Sequence, residues 1–216
     1  MGRGAESAPA PAGARAALIT VSSSRAAVAV RAGEGSDQSG AQLAALARRL
    51  GLVVAGAELI PDRRELIEAR LRHWCDVEEC ALIFTSGGTG LTADDLTPEA
   101  TRAVIEREVP GIGEAMRLAS REYTPYWMLS RALAGVRGRS LIVNLPGSPA
   151  SIAQIGDALA PALVHALALI AGHRDHHGTE AQPSELSAQQ RGSQDAGSTE
   201  TKTGRSTGEG CHSIGA

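Results

Sequence analysis

Ala81-Leu82-Ile83-Phe84-Thr85-Ser86-Gly87-Gly88-Thr89-Gly90, continued by Leu91-Thr92-Ala93-Asp94-Asp95-Leu96-Thr97-Pro98-Glu99-Ala100-Thr101, joins an apolar run to a helix start through a glycine-rich, acidic turn. The run 81–84 reads as a buried strand, since consecutive apolar side chains suit a sheet covered on both faces. Three glycines within four residues then let backbone amides approach a phosphate closely, which is the chemistry of an anion site. Thr97 is placed to cap the next helix, with Pro98 in its first turn. Asp94 and Asp95 lie between, where a carboxylate can hold the magnesium that accompanies a nucleoside triphosphate. The same residues also fit a plain strand-to-helix turn carrying a solvated pair of acids.

On the N-terminal side, Ala17-Leu18-Ile19-Thr20-Val21 reads as a strand, Leu43, Leu46, Ala47 and Leu50 share one helical face, and 52–59 reads as a second strand. Asp62 stands where a helix begins, with Ile67, Leu71, Trp74 and Cys75 repeating behind it, so it is either a helix cap or a site acid. On the C-terminal side a helix starts at Pro98 and another spans about 111–121. Tyr123-Thr124-Pro125-Tyr126-Trp127 follows and holds three of the five aromatics, suited either to stacking on a purine or pterin ring or to core and subunit contacts. The run 141–145 has strand character and is broken by Pro146-Gly147 before Ser148 and Pro149 open a helix, a second candidate phosphate cradle. Ile152, Ile155 and Leu159 form one apolar face, and Pro161 is expected to start a fresh helix carrying Leu163, Leu167 and Ile170. This alternation predicts an α/β fold, a three-layer helix/sheet/helix sandwich with a mostly parallel sheet and ligands outside the strand C-terminal ends.

A length of 216 residues suits one domain over 17–172, with a flexible arm at 1–16 and a disordered, Gly/Ser/Thr-rich tail at 173–216. A net charge of −3 without a continuous basic segment gives no footprint for nucleic acid. The only lysine is Lys202, in the tail, which excludes a Walker-type phosphate loop and Schiff-base chemistry in the folded part. Cys75, Cys80 and Cys211 complete no zinc set and suit a reducing compartment. His73 and His165 are the folded region's histidines and no Gly-x-Ser-x-Gly elbow accompanies them, against a serine hydrolase. The N-terminus lacks the apolar core of a signal peptide, and 158–172 is short and interrupted for a membrane span, so a soluble, cytoplasmic protein is expected.

Four further motifs stand in order with the glycine turn: Ile60-Pro61-Asp62; Val109-Pro110-Gly111-Ile112-Gly113-Glu114; Met128-Leu129-Ser130-Arg131-Ala132-Leu133-Ala134-Gly135-Val136-Arg137-Gly138; and Leu141-Ile142-Val143-Asn144-Leu145-Pro146-Gly147-Ser148-Pro149. Together they resemble the molybdopterin adenylyltransferase family of MogA/MoaB-type proteins, which includes the gephyrin G domain, over roughly 18–172. The resemblance implies transfer of AMP from ATP to molybdopterin with release of pyrophosphate. It matches Asp62 and Asp95 to the family's catalytic acids, and we assign to them the positioning of Mg2+ and the reacting phosphates. Ser86, Gly87, Gly88, Thr89 and Gly90 then form the phosphate cradle, Ser130 and Asn144 fall on substrate-site positions, and Pro146, Gly147 and Ser148 complete a nucleotide-side loop. Arg131 and Arg137 suit either anion contacts or structural salt bridges. A homotrimer and a molybdenum insertase partner are implied as well. The sequence departs from the family at Thr20-Val21-Ser22-Ser23-Ser24-Arg25, where an acid is usual, before Asp37-Gln38-Ser39-Gly40 recovers the pattern. That departure keeps open an alternative, a catalytically weak molybdopterin-binding or scaffold protein of the same family.

Overall fold

The computed structural model describes residues 10–32 and 37–173; residues 1–9, 33–36 and 174–216, with most of the expected arm and tail, lie outside the described residues. The elements are β1 (Arg15–Val21), α1 (Ser23–Ala32), α2 (Gln38–Arg49), β2 (Val53–Ile60), α3 (Arg64–Arg72), a π-helical turn (His73–Val77), β3 (Leu82–Ser86), α4 (Thr97–Arg102), β4 (Arg107–Glu108), α5 (Pro110–Ser120), a 3-10 turn (Trp127–Leu129), β5 (Ala134–Arg137), β6 (Ser140–Leu145) and α6 (Pro149–Ile170). The sheet order is β2-β1-β3-β6-β5-β4. The first four of these strands run parallel, and β5 and β4 continue the sheet antiparallel.

Strand alternation splits the core into two layers of side chains. Leu18, Phe84, Leu141 and Val143 face Leu43 and Leu46 of α2, Met116 of α5, and Ile152, Ile155, Leu159 and Leu163 of α6. Ile19, Ile83 and Ile142 face Ile67 and Leu71 of α3, Trp74 of the π-helical turn, and Ala100 of α4. The expected three layers are therefore present. Ion pairs such as the exposed Arg49–Asp157 and the partly exposed Arg64–Glu68 contribute at most about 1 kcal/mol each. Burial of a single Leu or Ile stabilises by roughly 1.5–3 kcal/mol, so the aliphatic core dominates.

Several sequence expectations are corrected. β1 begins at Arg15, two residues ahead of the strand expected at 17–21, and Ala16 is fully buried. α6 runs unbroken for 22 residues through Pro161. Proline removes the bond to the Asp157 carbonyl, but Leu159 and Leu163 on either side both pack on the sheet, and that burial holds the helix together. α6 is also long and apolar enough to cross a membrane, contrary to the expected short run, yet its Ile152–Leu167 stripe is core. The helix α1 and the antiparallel β4 and β5 were not foreseen.

Candidate active site

The parallel strands end level: Val21 pairs with Ile60, Thr20 with Ser86, and Ser86 with Leu145. The segments that follow, beginning at Ser22, Pro61, Gly87 and Pro146, therefore meet at one edge of the sheet. The chain leaving β1 reaches α2 in one layer, whereas the chain leaving β3 reaches α4 in the other. Diverging connections of this kind open a crevice at the strand C-terminal ends.

Gly87 adopts φ +100°, and a Cβ there would lie 2.3 Å from the Val21 carbonyl oxygen. Gly88 adopts φ +62°, and its Cβ would lie 2.4 Å from Thr97 Oγ1 and 3.4 Å from Asp62 Oδ1. A Cβ on Gly90 would meet Asp95 Oδ2 at 2.8 Å. Only glycine fits such approaches, and they show Asp62 and Asp95 flanking one turn. The Gly87 amide donates to the Leu145 carbonyl at 3.2 Å and so ties the turn to the end of β6. The amides of Gly88 and Thr89 make no hydrogen bond to a described residue and are the donors this cradle offers.

Asp62 does not cap the helix behind it. α3 has Arg63 at its cap position with no side-chain bond. Instead Asp62 Oδ2 accepts from the Ser23 amide at 2.6 Å, while the Asp62 amide donates to Ser23 Oγ at 2.9 Å. This reciprocal lock fixes the start of α1 and leaves Oδ1 toward Gly88. Asp95 Oδ2 accepts from the Thr92 amide at 2.8 Å and hydroxyl at 2.6 Å. Burial opposes its ionisation, but the Thr92 hydroxyl and amide, the Gly90 amide and the Arg131 charge together hold its pKa below the usual carboxylate value. Asp94 is exposed. Thr97 is the first residue of α4 and its side chain makes no cap, correcting that expectation; its hydroxyl is buried and unpartnered.

Arg131 clasps the turn. Its amide donates to Thr89 O at 3.0 Å and its Nε to Gly90 O at 2.6 Å, while its guanidinium also reaches the Asp95 carbonyl and Glu99. Arg137 is tied to Asp76 and Val104 O. Both arginines thus take structural partners. Ser86 is buried and donates to Pro146 O at 3.0 Å, joining the two cradles. Asn144 is also fully buried, with Nδ2 donating to Thr85 and Thr101 hydroxyls at 3.0 and 2.9 Å. Both side chains are buried beneath the loops, and among the described residues Asn144 Oδ1 has no hydrogen-bond partner. Ser130 is half-buried and its Oγ accepts from the Ala132 amide at 3.3 Å. Gly147 backs directly onto Gly87, its Cβ position lying 3.3 Å from Gly87 Cα. Ser148 is exposed ahead of α6 and makes no side-chain cap. Tyr123 and Tyr126 are largely exposed, so they are not core.

Three contributors went unread in the sequence: Ser23, Ser39 and Arg25. Ser39 lies in the Asp37-Gln38-Ser39-Gly40 signal, but Arg25 had none, because α1 itself was not recognised. A cavity of about 520 Å3 at the opposite end of the sheet is lined by Ala14, Asp76, Ala81 and Ser140. Two of its polar groups are engaged within the fold, Asp76 with Arg137 and the Ser140 hydroxyl with Cys80 O, while Glu79 and Arg139 also line it.

Residues 17–165 match the family described as "Probable molybdopterin binding domain". A molybdopterin adenylyltransferase of Helicobacter pylori J99 is 47% identical over 116 residues, 54% of this chain and 66% of that protein. One from Escherichia coli K12 is 43% identical over 113 residues, 50% of this chain and 58% of that protein. The chain thus spans less than two thirds of the length of these relatives. Among solved structures, the molybdopterin biosynthesis enzyme MoaB of Thermus thermophilus is 44% identical with a TM-score of 0.65, covering 73% of this chain and 96% of that one. The molybdopterin biosynthesis Mog protein of Mycobacterium ulcerans is 36% identical with a TM-score of 0.66, covering 74% and 99%. With the level strand ends, the doubled glycine cradle and a match over most of its length, this chain belongs to the molybdopterin-binding domain family.

Proposed function

We propose that this chain is a molybdopterin adenylyltransferase. An oxygen of the terminal phosphate of molybdopterin attacks the α-phosphorus of ATP, the bond from that phosphorus to the β-phosphate oxygen breaks, and adenylyl-molybdopterin and pyrophosphate result. The observation that carries this reading is the convergence of Asp62 and Asp95 on one glycine turn. The names of relatives at 43% and 47% identity support it.

Both reactants are polyanions, so the barrier is dominated by bringing them into line and by spreading charge. The Gly88 and Thr89 amides and the N-terminus of α6 aim donors at this edge. A phosphate monoester is already nucleophilic at neutral pH, which makes a general base unnecessary and agrees with a folded region free of lysine. The residues fit a magnesium ion: among the described residues Asp62 Oδ1 has no donor, Thr97 Oγ1 is an orphaned buried oxygen beside Gly88, and both are hard oxygens. No group of three acidic, His or Cys ligands occurs among the described residues, so phosphate oxygens must complete the shell. When bound by Asp62 and Asp95, Mg2+ supplies positive charge against the triphosphate.

The acid-free first loop favours a second reading, a catalytically weak binding or scaffold protein. Purified protein supplied with ATP, Mg2+ and molybdopterin should release pyrophosphate; tight molybdopterin binding without release supports the scaffold instead. We further propose a cytoplasmic homotrimer that hands its product to a molybdenum insertase. Exposed Leu118 and Tyr123, which line a groove of about 490 Å3 between α5 and α6, support a subunit contact.

A further inference from the structure

Arg25 sits in the first turn of α1, and the Asp62–Ser23 lock aims that turn across the sheet edge. Its Nη1 donates to Ser39 Oγ at 2.8 Å and its Nη2 to Gly147 O at 3.2 Å, while Ser39 Oγ donates to the same carbonyl at 2.9 Å. Among the described residues the acid paired with it is Asp37, 3.7 Å away, which has its own task, accepting from the Gly40 amide at the head of α2. Two of the five guanidinium N–H groups are used in this way. The side chain is 39% exposed, so the remaining donors can meet a ligand.

The turn therefore has two unlike ends. At the Thr89–Gly90 end, Arg131 is consumed by Glu99 and by carbonyls. At the Gly87 end, which abuts Gly147, Arg25 still has donors to give. In-line displacement puts nucleophile and leaving group on opposite sides of the α-phosphorus. With the acids and free amides flanking the middle of the turn, the leaving group belongs at the end where a guanidinium can meet it.

We propose that Arg25 binds the β- and γ-phosphates of ATP and holds pyrophosphate as it leaves, a role that rests on the adenylyl-transfer reading. The test uses the full chain and two probes, inorganic pyrophosphate and AMP, with affinities measured by calorimetry. Arg25→Gln should weaken pyrophosphate binding about tenfold or more, the scale of a lost charge-assisted pair, and leave AMP within about twofold. Arg25→Lys keeps the charge and should recover part of the loss. Ser39→Ala removes the loop bond while keeping the charge, and should cost less than about threefold. Equal weakening toward both probes, an unchanged Arg25→Gln, or a Ser39→Ala loss as large as that of Arg25→Gln would overturn the proposal by reducing Arg25 to a loop brace. Should Arg25→Gln fail to fold, Arg25→Lys and Ser39→Ala decide the matter by the same criteria. Turnover is read separately: wild-type protein that binds pyrophosphate through Arg25 but releases none from ATP keeps this site and removes the adenylyl-transfer reading.

Discussion

Asp95 owes its low pKa to bonds it makes only in the folded chain, and that has a sign. Burial raises the value, and Thr92, Gly90 and Arg131 more than offset it. A carboxylate whose folded pKa is depressed adds stability that is fully present above its ordinary value and is lost as pH falls through the folded one. Asp95→Asn should therefore flatten the acid side of the thermal-midpoint profile below about pH 4, and should cut adenylyl transfer by at least about a hundredfold with molybdopterin binding retained, as expected for transition-state charge stabilisation. A variant within a few-fold of wild type in pyrophosphate release would remove Asp95 from the mechanism. Cys75 shows the opposite shift: burial pushes its thiol up to about 11. In a Cys211→Ser background, native protein should leave Cys75 and Cys80 unmodified by a thiol reagent at pH 8, with reaction only on unfolding. Which residues were legible follows from this contrast. Asp95 stands out in the sequence beside the glycine turn, whereas Asp62, with no glycine next to it and equally suited to a helix cap, is singled out only by the family motif. Asn144 and Ser86 do not stand out in this way, since their burial and their partners 43 to 60 residues away arise only on folding.

At the scale of elements, the glycine turn tolerates no side chain at its first position. Gly87→Ala combines a left-handed backbone with a methyl group 2.3 Å from a carbonyl oxygen. It should destabilise by roughly 1–3 kcal/mol or more, read as a lowered denaturant midpoint. Pro161→Ala should act the other way. It restores a donor for the Asp157 carbonyl in the middle of α6, and should raise the thermal midpoint without altering pyrophosphate release. Central strands and the α2 and α3 faces were readable because their apolar periodicity is strong. α1 was hidden by an Ala/Val-rich composition without a clear stripe; its local cap is a long bond, 3.4 Å from the Arg25 amide to Ser22 Oγ, and the shorter one comes from Asp62, 39 residues away. β4 and β5 were hidden because they span two and four residues, too short for an alternation to register.

For the whole molecule, the topology explains why loops distant in sequence share one task. Four parallel strands in level register deliver their connections to one edge, and the antiparallel β5 and β4 stand outside that arrangement. The expected assembly belongs at this scale. Light scattering coupled to size exclusion should report three copies, and charged substitutions at Leu118 and Tyr123, both on the groove between α5 and α6, should shift the mass toward one copy. Unchanged mass in those variants would place the contact elsewhere.

The mutual tie between Asp62 and Ser23 has a genetic corollary. Position 62 anchors a neighbouring helix as well as facing the glycine turn, so Asp62→Ala disturbs two things at once and its phenotype alone is ambiguous. Ser23→Ala supplies the missing control, because it removes the acceptor of the Asp62 amide and leaves the carboxylate with its bond from the Ser23 amide: a double-mutant cycle then shows how far the two halves of the anchor depend on each other. Strong epistasis in melting temperature, with additive effects on turnover, is the pattern such a dual-purpose acid should leave.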